Sequence, residues 1–157
     1  NDALFDALET GVVKRYITDF GTEELLNKPN VTVFPHVGGS TSEAELNCAI
    51  MAAQTIRRFM ETGEIVNSVN FPRVQQVLSA PYRITLINKN VPNIVARIST
   101  AVSDFNINID NIINRSKGEY AYTLLDLDET DKSKIDELVA KFEASDNIVR
   151  VRLIKGK

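Results

Sequence analysis

The spacing of apolar residues changes character along this chain. Up to residue 65 it marks helices and very short strands. From Tyr82 onward it marks a regular succession of longer strands and helices. "DALFDALETG" sets Leu4, Phe5 and Leu8 on one helical face, and Gly11 is placed to close that helix. "VVKRYITDF" has strand composition, "GTEELLNKPN" reads as a loop or short helical turn, and "VTVF" is a second strand stopped by Pro35. Ser40 or Ser42 starts a helix in the capping-box pattern, with Glu43 or Glu45 three residues on. That helix runs to Thr62 and stops at Gly63. Its stripe of Leu46, Cys48, Ala49, Ile50, Ala53, Ile56 and Phe59 is wide enough to predict burial on more than one side.

Residues 66–81 contain two prolines and little periodicity, which predicts an extended linker between two domains, 1–65 and 82–157. "YRITLIN" then alternates as a strand. Pro92 stands near the start of a helix carrying Ile94, Val95, Ile98, Ala101, Val102 and Phe105. "INIDNIINRS" and "EYAYTLLDLD" are strands around a tight turn at Lys117-Gly118. "DKSKIDELVAKFEAS" is an amphipathic helix with Ile135, Leu138, Val139 and Phe142 inward, and "NIVRVRLIK" closes as a strand. The order βαββαβ predicts an antiparallel sheet with two helices on one face. Ile107, Ile109, Ile112 and Ile113 break strict alternation. The surplus predicts a cover from outside this module, such as a second copy of the chain.

Composition adds exclusions. The 157 residues are 43% apolar and 25% charged, with a net charge of −3, and no basic run points to nucleic acid or an anionic membrane. The single cysteine, Cys48, forms no internal disulfide. Within "ELNCAIMAA" it reads as a small buried residue, which suits a reducing cytoplasm. No apolar run is long enough to span a membrane.

The only histidine, His36, lies in "VFPHVGGSTSEAE", between a short strand and a helix start. "FPHVGGST", with "DALFDALETG" and "YITDF" before it, resembles the end of the nucleotide-binding domain in the D-isomer-specific 2-hydroxyacid dehydrogenases. The resemblance implies that His36 is the acid/base for a substrate hydroxyl, a task suited to imidazole, which both takes and gives a proton in the neutral range. It implies Glu23 as the carboxylate partner of that histidine, with Glu24 as the alternative. Matching Phe20 and Glu23 of "TDFGTEE" to the family pattern Asp-Val-Phe-Pro-x-Glu leaves Thr18 where the family has Asp, unless one residue is missing and Asp19 does that work; Asp19 is expected on the nicotinamide side. Gly38 and Gly39 would let the backbone approach the NAD ribose and nicotinamide.

Tyr82 to Lys157 resembles the ACT domain, a small βαββαβ amino-acid-sensing module, and "VNFPRV" resembles the linker of family members that carry this tail. The resemblance implies that Asn88, Asn90 and Asn108 bind an effector, L-serine. Asn88 stands where the family has histidine. Asn93 stands where a glycine usually follows the proline. The bland alternative for these asparagines is turn chemistry.

Together the two resemblances imply an α/β remnant of a Rossmann-type domain followed by an α+β, ferredoxin-like ACT domain. They imply an NAD-dependent oxidoreductase acting on 3-phospho-D-glycerate in L-serine biosynthesis, cytoplasmic and homo-oligomeric, with no metal. The sequence contains neither a G-x-G-x-x-G turn nor an arginine before Lys14, so it reads as a segment cut inside the nucleotide-binding domain and inactive by itself. Two strands without their sheet would expose apolar faces. The alternatives are a stand-alone amino-acid-binding or dimerisation module, or another D-2-hydroxyacid dehydrogenase.

Overall fold

The computed structural model describes residues 1–156. Their backbone forms two compact units, one through Ala49 and one from Ile50 onward.

The first unit holds α1 (Asp2–Glu9), β1 (Tyr16–Thr18), β2 (Val31–Val33) and the start of α2 (Ser42–Thr62). Gly11 follows α1 with φ +73°, the left-handed conformation expected of a residue past a helix end. β1 and β2 pair in parallel, with Ile17 opposite Thr32. Burial here is slight: α1 has no buried residue, Leu25 and Thr18 are buried, and Ile17, Phe20, Phe34 and Val37 are exposed. The start of α2 is capped by Thr41, whose hydroxyl accepts from the Ala44 N–H at 3.1 Å, rather than by Ser40 or Ser42. The oxygen that reaches an orphan N–H of the first turn decides the cap, and here the threonine does so. α2 has no buried residue and Cys48 is exposed, which corrects the expected two-sided burial and removes the buried-cysteine argument. A wide apolar stripe records a capacity for contact, and among the described residues nothing fills most of it.

The second unit carries the predicted βαββαβ order: β3 (Tyr82–Lys89), α3 (Ile94–Ser103), β4 (Asn108–Lys117), β5 (Tyr120–Asp128), α4 (Lys132–Glu143) and β6 (Ile148–Lys155). The sheet order is β4-β5-β3-β6, antiparallel throughout. The hairpin turn is Gly118-Glu119, one residue later than expected, because Gly118 is the residue with φ +66°. Asn93, the residue before α3, takes φ 64° and ψ 10°, a glycine-like conformation that asparagine tolerates. α4 is capped by Asp131, whose carboxylate accepts from the Ser133 N–H at 2.9 Å. On the helix face, Ile84, Leu86, Leu125 and Leu127 pack with Ile98, Val102, Ile135, Leu138 and Phe142.

The opposite face of the sheet is covered by residues 63–77 of the same chain. Ile65 and Val74 bridge to each other and pack on Tyr122 and Leu124, with Phe71, Ile87 and Ile113 at the margin. The cover expected from outside residues 82–157 is thus supplied, for Ile113, by the segment that precedes them, while Ile107 packs on the helix side. Asp110 is an extra residue in β4, between Ile109 opposite Leu127 and Asn111 opposite Asp126. This bulge shifts the phase, so Ile109 and Ile112 join the helix face and Ile113 the other.

Polar groups fasten the cover. Arg83 is fully buried and uses all five of its N–H donors. Two go to Asp126, and the others to the carbonyl oxygens of Thr62 (2.8 Å), Gln76 (2.9 Å) and Val77 (3.2 Å). The Tyr122 hydroxyl donates to Gly63 O at 2.7 Å, and burial pushes this phenol above its ordinary range. The Arg152 guanidinium donates to the carbonyl oxygens of Phe59 and Met60, closing the C-terminal end of α2, where a cation is favoured. Segment 66–81 has no regular structure, yet Arg83 holds it from both Gln76 and Val77.

Candidate functional site

The C-terminal ends of β1 and β2 lie side by side because the strands run parallel. Phe34 N–H donates to Thr18 O at 3.1 Å, extending the pairing one step past β2. The Phe20 N–H donates to Thr18 Oγ1 at 3.0 Å and fixes the turn that follows β1. Asp19 and His36 therefore leave the two strands at neighbouring points. His36 Nδ1 lies 2.9 Å from Asp19 Oδ2, and the side chains are 59% and 34% exposed. The Phe20 ring stands against the imidazole with centroids 4.4 Å apart. His36 Nε2 has no hydrogen-bond partner among the described residues. In open α/β sheets, ligands bind outside the carboxyl ends of the strands.

The expected carboxylate, Glu23, is not on this histidine. It is exposed in the loop, and Glu24 accepts instead from the Asn1 side chain at 2.7 Å. Motif alignment favoured Glu23. The parallel pairing favours Asp19, which follows the strand end directly, and that adjacency was the sequence signal available. An added Cβ on Gly38 or Gly39 would meet no atom within 4 Å, and neither has a left-handed φ. Nothing among the described residues calls for glycine at these two positions.

The three candidate effector asparagines do not converge. Asn88 is buried: its Nδ2 donates to Lys89 O at 3.1 Å and its Oδ1 accepts from Thr123 Oγ1 at 2.9 Å, while Asn114 Nδ2 donates to that same hydroxyl at 2.7 Å. Asn90 is exposed and donates to Gly118 O at 3.2 Å. Asn108 is exposed at the start of β4. It pairs with Asp128 at one end of β5, whereas Asn88 pairs with Ala121 near the other. Seven residue steps separate those two β5 positions, about 23 Å along a strand.

No group of three potential metal ligands occurs among the described residues, and no described helix is long and apolar enough to cross a membrane.

No family model matches the chain. It is 33% identical over 139 residues to D-3-phosphoglycerate dehydrogenase 2 of Saccharomyces cerevisiae, covering 85% of this chain and 29% of that protein. It is 30% identical over 132 residues to the D-3-phosphoglycerate dehydrogenase of Dictyostelium discoideum, covering 83% and 31%. The enzyme of that name from Escherichia coli K12 is 26% identical over 133 residues, covering 85% and 32%. Its homologues are D-3-phosphoglycerate dehydrogenases. The chain spans about a third of their length. Among solved structures, the ACT domain of a Chlorobium tepidum GTP pyrophosphokinase is similar at a TM-score of 0.43 and 18% identity, covering 46% of this chain and 95% of that one.

Proposed function

We propose that this chain is the C-terminal part of an NAD-dependent D-3-phosphoglycerate dehydrogenase, which oxidises 3-phospho-D-glycerate to 3-phosphooxypyruvate in L-serine biosynthesis. Residues 1–65 complete its nucleotide-binding domain, 66–81 connect, and 82–157 form an ACT regulatory domain. The observation that supports this best is the His36–Asp19 pair, open at the ends of two parallel strands, in a chain whose homologues carry that enzyme's name.

Oxidising the alcohol removes a hydride from carbon and a proton from oxygen. NAD, when bound, supplies the hydride acceptor. His36 Nε2 takes the hydroxyl proton. Asp19, on Nδ1, holds the ring in the required tautomer and stabilises the imidazolium that forms. The geometry favours Asp19 over Glu23 and Glu24 for this task. Gly38 and Gly39, with open space beside them, suit a close approach by the cofactor ribose and nicotinamide.

The βαββαβ unit serves regulation by L-serine and assembly of a homo-oligomer. Asn90 and Asn108 are the exposed amides. A single small ligand reaches both only if they come from two copies, since one sheet holds them at opposite ends. Asn88 contributes by positioning the strand end, its amide being already used.

Assaying the intact enzyme for NADH formation with 3-phospho-D-glycerate tests the reaction. Turnover of another D-2-hydroxyacid in its place would move the protein elsewhere in the wider dehydrogenase family.

A further inference from the structure

A groove of about 1070 Å³ lies between the second half of α2 and segment 64–79. Four basic side chains line it, Arg57, Arg58, Arg73 and Lys155, against two acidic ones, Glu61 and Glu64. That is a local surplus of two positive charges in a chain whose net charge is −3.

Both carboxylates are already occupied. Glu61 Oε1 accepts from Arg57 Nε at 3.0 Å. Glu64, 13% exposed, accepts from the Gln76 N–H at 2.8 Å and lies 3.6 Å from Arg58 Nε. Arg73 and Lys155 form no ion pair among the described residues. Arg73 gives its Nε to Gln75 Oε1 at 2.6 Å, which orients the guanidinium and leaves both terminal nitrogens.

The groove is also built in advance. Thr62, Gln76 and Val77 line it, and their carbonyl oxygens are the three that Arg83 holds from behind. A wall fixed by a buried guanidinium needs little ordering when a ligand arrives. Met51, Val66 and Leu78 supply apolar surface beside the cations.

We propose that this groove binds a small phosphorylated metabolite, its phosphate held between Arg73 and Lys155 and its carbon portion resting on Met51, Val66 and Leu78. A phosphate monoester carries close to two negative charges at neutral pH, which matches the surplus; its oxygens suit both a guanidinium fork and an ammonium. A monocarboxylate answers only one of the two cations.

Calorimetry on the 157-residue chain at low salt tests this with glycerol 3-phosphate, inorganic phosphate, succinate and glycerol as probes. Glycerol 3-phosphate is expected to bind most tightly, inorganic phosphate more weakly, and glycerol not at all. The double variant Arg73→Gln, Lys155→Gln is expected to lose about tenfold or more in affinity, and Arg150→Gln on β6 to lose nothing. Circular dichroism checks that the variants remain folded. Equal binding by the double variant, succinate binding as tightly as glycerol 3-phosphate, or no binding of glycerol 3-phosphate at about 10 mM would each overturn the proposal.

Discussion

Arg83 and Asp126, both buried, meet as a two-pronged pair, Nε to Oδ1 at 2.5 Å and Nη2 to Oδ2 at 2.7 Å. The pair joins β3 to β5 across the face that segment 63–77 covers, and the remaining donors of Arg83 hold the end of that segment and Thr62 at the end of α2. Removing one partner leaves a buried charge without its counterpart. Arg83→Met or Asp126→Leu should each cost about 3–5 kcal/mol, and the double variant less than the sum of the two. Urea unfolding of the four proteins checks this; additive losses would show that the two residues act independently.

Gly63 is constrained twice. Its φ is +70°, and an added Cβ would lie 2.5 Å from Thr85 Cγ2 and 2.9 Å from Ile154 Cδ1. Gly118 has φ +66° with open space around it. Gly118→Ala should cost about 1–2 kcal/mol from backbone strain alone. Gly63→Ala should cost more, by about 1–3 kcal/mol for the overpacking. Equal losses would mean that the sheet yields freely beneath Gly63.

Glu129 is held well below its ordinary carboxylate range, to about 2, chiefly by the Asp131 N–H, then by the Lys134 ammonium and the Thr130 N–H. A depressed folded-state pKa means stability present above the unfolded value and lost as pH falls. That loss should run from the ordinary value of 4.5 down to about 2. Titration of the Glu129 side chain by NMR should show the low midpoint, and Glu129→Gln should flatten this part of the stability profile. A midpoint in the usual glutamate range would contradict the arrangement at the start of α4.

Regulation by a site shared between copies predicts association. Sedimentation of the 157-residue chain at about 50 μM should show a dimer or larger species, tightened by L-serine. A monomer that takes up serine with unchanged mass would place the effector within one copy.

The βαββαβ unit was legible because each element is long enough for its own period to show, as in β3, where Ile84 and Leu86 turn to the helices and Arg83 and Thr85 to the opposite face of the sheet. The second face was not legible. Its cover comes from residues without periodicity, and Ile65, Phe71 and Val74 become core only after the chain has folded back. Arg83 could not be distinguished from a surface arginine, since its partners are three backbone carbonyls and a carboxylate 43 residues away. At the candidate site the histidine stood out as the only one in the chain. Its neighbour did not, because motif alignment ranks loop carboxylates by spacing whereas parallel pairing sets which one lies within reach. β6 shows the same limit: Val149 alternates in sequence with Val151 and Leu153, yet it is exposed because it falls between Arg150 opposite Ile87 and Ile148 opposite Asn88.

The central claim is that His36 moves the substrate proton with Asp19 behind it. The measurement is kcat for NADH formation from 3-phospho-D-glycerate by the intact enzyme, comparing His36→Asn, Asp19→Asn and Glu23→Gln. The account predicts a fall of about a hundredfold or more for His36→Asn, a substantial fall for Asp19→Asn, and little change for Glu23→Gln. A near-normal kcat for His36→Asn, with the protein folded, would contradict it and leave the histidine a structural role.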